Sequence, residues 1–467
     1  MQTFLMYFVA LVGIALVIYM LIKKADIKIT LLGVGVILLY TAILMGNTVA
    51  DTGMNLIDPF QVIVNQFVST LSRAGLIILI LGGYTAYMSK IGANDVTVYA
   101  LTQPLKKIKS PYVLVPFVFL LGNFLSLVVP SASNLAIILL ATLYPVLRSA
   151  GMSTLTAAGV IATTATVMPT PLGGDNVAIA EELAKYTEFA GLTPTEYVFR
   201  YHAIVSIPTL LLMAIVHYFW QKYMDRHTKN DLSSNEIAVD QNKVILVEGG
   251  LLYKTVYAIL PIFPIILLLL FYILDTFTSI SIELTVQQAV LVSWLVAIIA
   301  ELIRKRNGKQ VMEDAESFFK GMGNAFGIVA LLVSAGVFVE GLKQIGIIEH
   351  LQTTMQTTST SGFVLPLILV LLTALIVLLS GSGTALFYAM VPLMYGLAAA
   401  AGINAIAVTI PMGLAGNLLR AVSPVSAVVV IVAGSTKKNP FEIVKRTSVP
   451  MIAGTVFMFI LSMILFL

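Results

Sequence analysis

Apolar residues run through the chain in long blocks, and the polar positions between them are short and clustered. A helix that crosses a bilayer needs about 20 mostly apolar residues. Windows of that kind fall near 3–22, 29–46, 74–89, 111–129, 135–147, 154–190, 201–220, 255–274, 284–303, 324–342, 363–379, 385–400, 404–434 and 447–467. The pattern predicts an all-α polytopic membrane protein. The segments 59–72 and 311–323 read as interfacial helices. The longest polar segment, Gln221 to Gly250, is too short to form a soluble domain.

Four polar interruptions break the apolar pattern. In "VVPSASNLAII" (128–138), Ser131, Ser133 and Asn134 follow Pro130; in "LLSGSGTALFY" (378–388), Ser380, Ser382 and Thr384 alternate with glycines. Each cluster lies between two apolar arms whose far ends share one side of the membrane, which predicts a re-entrant hairpin with its tip at mid-depth. Two full spans joined by a polar turn are the alternative. Non-helical backbone at that depth must line a water-filled cavity, and the amides opening the second arm would face an anion favourably. The third interruption is "PTPLGGDN" (169–176), where two prolines and two glycines stop a helix. Its Asp175 and Asn176 are candidates for a coupling proton or cation, against a plain kink in which Asp175 is paired structurally. The fourth is "GLAGNLLRAVSPVSAVVV" (413–430), with Asn417, Arg420, Ser423 and Ser426 inside a span. An arginine at mid-bilayer costs about 2.5–3.5 kcal/mol even on the lenient insertion scale. Its planar fork matches a carboxylate, so Arg420 is expected to meet Asp175, the substrate or both in turn. Snorkelling or a fixed ion pair is the bland alternative.

The interruptions recur in order. "GGYTAYMSKIG" (82–92) is echoed by "GVFVEGLKQIG" (336–346), and the two Ser-rich clusters and the two broken helices follow. Pro-x-Glu-x-x-x-Arg then closes each half, as Pro194, Glu196, Arg200 and as Pro440, Glu442, Arg446. With Lys23 and Lys24 placed in the cytoplasm, alternation leaves only Arg73, Lys185, Arg200 and Lys343 outside and Arg420 without a membrane face. The first half then begins outside and the second inside, so the repeats are inverted. Inverted repeats with interrupted helices are the mark of secondary transporters that bind at mid-membrane. The expected organisation is two N-terminal spans (1–58), repeat 1 (59–220), a cytoplasmic loop with two connecting spans (221–310) and repeat 2 (311–467).

Composition narrows the class further. Of 467 residues, 58% are hydrophobic and 11% charged, with a net charge of +4 and no cysteine; mean hydropathy is +0.97. Soluble domains carry about 25% charged residues, so the lipid bilayer is the expected surroundings and nucleic acid is not an expected partner. Absence of cysteine excludes disulfides and thiolate chemistry. The four histidines, His202, His217, His227 and His350, sit singly, without metal-ligand spacing. No serine has a lysine or histidine placed as a base, and no Gly-x4-Gly-Lys-Ser/Thr pattern occurs. An enzyme, a metal site or a cofactor is therefore not expected; a channel or an intramembrane hydrolase is the reading from a different class.

The blocks "GGYTAYMSKIGAND", "SPYVLV", "ATLYPVL", "SPVSAVVVIVAG" and "NPFEIVKRTSVP" resemble the DcuC-type anaerobic C4-dicarboxylate carriers, over residues 5 to 460. That resemblance implies carriage of succinate, fumarate or malate across a bacterial inner membrane, by exchange or by proton-coupled flux. It also implies membership of a larger ion-transporter group whose divalent-anion symporters are homodimers with paired hairpins and elevator-type motion. Sodium-coupled members of that group carry Ser-Asn-Thr at each tip. Here the tips read Ser133-Asn134-Leu135 and Ser382-Gly383-Thr384, which favours protons or exchange over sodium. Another organic anion or an amino acid, with sodium or proton coupling, is the alternative cargo.

Overall fold

The computed structural model describes residues 2–23, 25–227, 250–277, 284–347, 350 and 362–467. Most of the polar segment Gln221 to Gly250 lies outside the described residues. Helix is the only regular secondary structure among the described residues, and nine of the helical stretches are long and apolar enough to cross a membrane. The chain opens with α1 (Gln2–Ile22) and α2 (Ile27–Leu44), the latter capped by the Asp26 carboxylate on the Lys28 and Ile29 amides. Then come α3 (Asp58–Thr70), α4 (Leu76–Lys90), α5 (Ala93–Thr102), α6 (Pro111–Leu125), α7 (Ala132–Thr142), α8 (Tyr144–Ser149) and α9 (Thr154–Ala162). They are followed by α10 (Gly174–Leu183), α11 (Pro194–Tyr197), α12 (Ala203–His227), α13 (Leu251–Ile259), α14 (Phe263–Phe277) and α15 (Val286–Lys305). The second half holds α16 (Gly308–Gln344), α17 (Val364–Ser380), α18 (Thr384–Ala400), α19 (Ile406–Leu419), α20 (Ala427–Thr436) and α21 (Pro440–Phe466).

The segments read as interfacial helices do not stand apart. Residues 311–323 open α16, an uninterrupted helix of 37 residues and about 55 Å at about 1.5 Å per residue. Helix α4 packs along it through small residues. A methyl on Gly321 would lie 2.5 Å from the Ala86 Cβ and from the Gly82 carbonyl, so the two backbones touch as small-residue membrane crossings do. Residues 59–72 fall largely in α3, which runs into α4 through a π-turn at Leu71–Gly75 kinked at Arg73 (φ −118°, ψ −114°). An element the hydropathy windows missed is α5, which packs on α13 with the Thr97 hydroxyl on the Ala258 carbonyl at 3.0 Å.

The repeated Pro-x-Glu pattern has a local cause. Thr193 and Asn439 are N-caps, proline takes the first turn that needs no amide, and the glutamate sits at the third helical position. The arginines diverge. Arg200 pairs on the surface with Glu196 of its own helix (2.9 Å), whereas Arg446 is buried against Asp225 of α12 (2.7 Å). A second charged cluster ties helix ends together: buried Glu301 pairs with Arg304 (2.7 Å) and Lys305 (2.8 Å) and accepts from the Tyr257 hydroxyl. Lys305 continues to Asp314 of α16 at 2.6 Å, and Lys90 of α4 reaches that carboxylate at 3.4 Å.

The Ser-rich clusters each join two short helices. Helix α6 has 15 residues and α7 has 11, while α17 and α18 have 17 each. At about 1.5 Å per residue each is about 26 Å or less, short of the roughly 30 Å hydrocarbon core. The window 154–190 holds α9 and α10 with irregular chain between them, and 404–434 holds α19 and α20. Across the molecule, α10 packs on α18 and α20 packs on α7. The second half of each broken helix thus lies against the second arm of the other half's helix pair.

Candidate functional site

Both irregular segments are held by their neighbours rather than left loose. Helix α9 ends because the Thr163 and Thr164 hydroxyls turn back onto the Val160 and Ile161 carbonyls (2.8 Å each) and Ala165 adopts φ +60°. The break therefore starts six residues before Pro169, and Asp175 stands in the first turn of α10 rather than in unwound chain. Buried Asn123 of α6 substitutes for the lost helix bonds: its Oδ1 accepts from the Thr166 amide (2.8 Å) and hydroxyl (2.6 Å), and its Nδ2 donates to the Phe119 carbonyl at 2.9 Å. Asn123→Ala would strand those donors. We expect a loss of about 1–3 kcal/mol, read as a lower melting temperature of the detergent-purified protein; an unchanged melt would show the break held by other contacts.

The second break runs from a tight turn at Arg420–Val422 through extended Ser423 to α20. Gly381, at the tip after α17, has φ +81°, and a Cβ there would lie 2.7 Å from the Val425 carbonyl. The buried Ser423 hydroxyl donates to the Leu378 carbonyl at 3.0 Å. Gly381→Ala is expected to cost about 1–2 kcal/mol for the left-handed backbone alone and to push the tip off the break. A melting temperature equal to wild type would separate the two.

Between the breaks lies a cavity of about 300 Å³, the lower end of the roughly 300–1,000 Å³ range for small-molecule sites. It gathers Asp175, Asn176, Asn417, Arg420 and Thr384. Asp175 accepts from the Asn417 side chain (3.1 Å) and from the Asn176 amide (3.0 Å), and the Asn176 side chain donates to the Thr170 carbonyl at 2.9 Å. Arg420 donates through Nη2 to the carbonyl of Ala165 at 2.6 Å. Each break thus satisfies a polar group of the other. Among the described residues no carboxylate forms an ion pair with Arg420, and Asp175 influences it only through space. The N-termini of α10 and α18 both open onto this space at Gly174 and Thr384, adding partial positive charge.

Other candidates stand off this wall. Ser131 caps α7 through the Asn134 amide at 3.3 Å, and both residues are exposed outside the cavity, as is Ser382; Ser133 does not line it either. From the first tip only Pro130 and Ser126 reach it. The Ser380 hydroxyl is taken by the Ile376 (2.7 Å) and Ser382 (2.9 Å) carbonyls, and Ser423 by Leu378. The sequence reading missed Tyr388 and His202, which line the wall. Tyr388 stands four residues after Thr384 on one helical face, a signal that was legible. His202 stands alone in its stretch and had none. A larger cavity of about 530 Å³ lies further along α10 and α18, lined by Arg73, Lys185 and Lys343 together with Glu181, Glu182 and Glu340. Those three cations are among the four that the charge pattern assigns to the exterior.

Broken helices facing one polar cavity, in a chain made of membrane-spanning helices, define a polytopic membrane transporter. The fold is shared with MtrF of Neisseria gonorrhoeae, of a class of antimetabolite efflux pumps (TM-score 0.62, 15% identity, 93% of this chain and 94% of that one). It is shared too with the YdaH transporter of Alcanivorax borkumensis (TM-score 0.61, 15% identity, 94% and 97%). The profile of the C4-dicarboxylate anaerobic carrier family, DcuC, matches residues 4–467. The probable anaerobic C4-dicarboxylate transporter DcuC of Vibrio cholerae is 37% identical, covering 96% of this chain and 95% of its own. The anaerobic C4-dicarboxylate transporter DcuC of Escherichia coli K12 is 36% identical, covering 98% and 96%. The chain belongs to the DcuC family of anaerobic C4-dicarboxylate transporters.

Proposed function

We propose that this protein carries succinate, fumarate and malate across the bacterial inner membrane, by exchange or with protons. The observation that carries the reading is Arg420: a permanent cation on a cavity between two helix breaks, with no carboxylate paired to it among the described residues. One substrate carboxylate takes the guanidinium fork, and the other takes the Thr384 hydroxyl and the amides opening α18, with Asn417 and Asn176 between. A dianion offsets the cost of a mid-membrane arginine better than a neutral solute does. The reading includes inverted repeats at 59–220 and 311–467 with re-entrant hairpins at 130–134 and 380–384. It is supported by the short arms and by the reciprocal packing of α10 on α18 and α20 on α7. Rigid movement of these elements, in a homodimer, would be elevator-type alternating access; the tip residues Ser131, Ser133, Asn134, Ser380 and Ser382 would then border the route.

The test is uptake of labelled succinate by purified protein in proteoliposomes, with unlabelled fumarate, malate, amino acids and monocarboxylates as competitors. Competition by C4-dicarboxylates alone supports the reading. No succinate uptake, or stronger competition by an amino acid, replaces it with the other-solute carrier. A sodium gradient that drives uptake where a proton gradient does not would overturn the coupling.

A further inference from the structure

The cavity wall carries four groups that titrate or hold charge: Asp175, Arg420, Tyr388 and His202. With Asp175 ionised and His202 and Tyr388 neutral, the empty cavity has no net charge. A bound dianion leaves the loaded cavity with the substrate's full double negative charge, and uncompensated charge is expensive to carry through a low-dielectric region. Uptake of one proton by the Asp175 carboxylate and one by the His202 imidazole restores neutrality: carboxylic acid, guanidinium, imidazolium and dianion then sum to zero.

His202 is placed for this. It is buried at 4% exposure, yet it is one of the residues that line the cavity. Nδ1 lies 3.1 Å from the Ser206 hydroxyl one turn further on, in α12. That hydroxyl can donate or accept, so the ring stays oriented in both protonation states. His202 ends a π-turn, Val198–His202, a helical insertion that is frequent at functional sites. Charged and titratable groups around it are Tyr197, Arg200 and Tyr201 on its own turn, Tyr272 of α14 against Phe199, and Asp175, Tyr388 and Arg420 on the cavity wall. Arg200 is exposed and paired with Glu196. On α12 the next titratable side chain, His217, packs against Phe119 with the two rings tilted and lines no part of this cavity.

We propose that His202 is a proton carrier of the transport cycle, loading together with Asp175 when a dicarboxylate dianion binds, so that the occupied cavity crosses electrically neutral. This rests on the carrier reading above. The experiment uses proteoliposomes loaded with a pH-sensitive dye, counting protons moved per labelled succinate while potassium and valinomycin impose a membrane potential. For wild type we expect a proton from each group per succinate and a flux indifferent to potential. His202→Gln is expected to move one proton fewer, to become potential-dependent, and to lose the pH dependence that titration of the imidazole gives. Ser206→Ala keeps the ring and the proton count but shifts the pH midpoint. An unchanged count and unchanged potential dependence in His202→Gln overturns the proposal, as does a wild type that moves one proton or none. If His202→Gln fails to assemble, the wild-type count and the Ser206→Ala midpoint decide. Absence of any succinate flux in wild type is a different failure, because it removes the carrier reading itself.

Discussion

Arg420→Ala is expected to lower succinate uptake at least about 100-fold while the protein still inserts and melts cooperatively. A charge-assisted hydrogen bond contributes about 1.5–3 kcal/mol, and about 1.4 kcal/mol is a factor of ten. The fork can make two such bonds to a carboxylate. The same substitution frees the Ala165 carbonyl, so part of the effect could come from a loosened first break. Arg420→Lys separates the two. Lysine keeps the charge but presents a point donor in place of a fork, and should restore much of the maximal rate at a KM raised about tenfold. Measurement is initial-rate uptake in proteoliposomes, with melting temperature as the folding control. An Arg420→Ala protein with wild-type KM and rate would place the substrate carboxylate elsewhere.

Much of the architecture was legible because hydrocarbon imposes a long, simple code. Every apolar window read from the chain contains helix, and the windows that proved too short to cross unaided flank the Ser-rich clusters. The breaks were legible where prolines and glycines cause them. They were misplaced where hydrogen bonding causes them: Thr163, Thr164 and distant Asn123 end α9 well before Pro169, and neither threonine is a breaker by itself. Asp175, Asn417 and Arg420 stood out as polar residues in apolar runs, and the cavity gathers them. The serines stood out for the same reason, but a hydroxyl has a cheaper alternative to a ligand. Ser380 and Ser423 give theirs to main-chain carbonyls, the usual fate of serine at a helix end. His202 was invisible because its place among the cavity-lining residues comes from the fold and not from its neighbours in sequence.

The largest expected loss of stability comes from Arg446, which the charge pattern counted among the cytoplasmic loop cations. Its side chain and that of Asp225 are almost fully buried, 2.7 Å apart. Asp225 also accepts from the hydroxyls of Ser153 (2.8 Å) and Thr156 (3.0 Å), and the Arg446 carbonyl accepts from Gln221 Nε2 at 2.8 Å. The cluster joins α21, α12 and the start of α9, the nine-residue helix that leads into the first break. Arg446→Leu leaves the Asp225 charge buried and unpaired, which costs about 3–5 kcal/mol, whereas apolar replacement of a whole buried pair is often neutral. We therefore expect Arg446→Leu to melt far below wild type or fail to accumulate in the membrane. Asp225→Leu should behave similarly, and the double variant should recover most of the loss. The cycle is read from melting temperatures of detergent-purified protein. Additive losses in the double variant would mean that each residue is held by its other partners and that the ion pair contributes little.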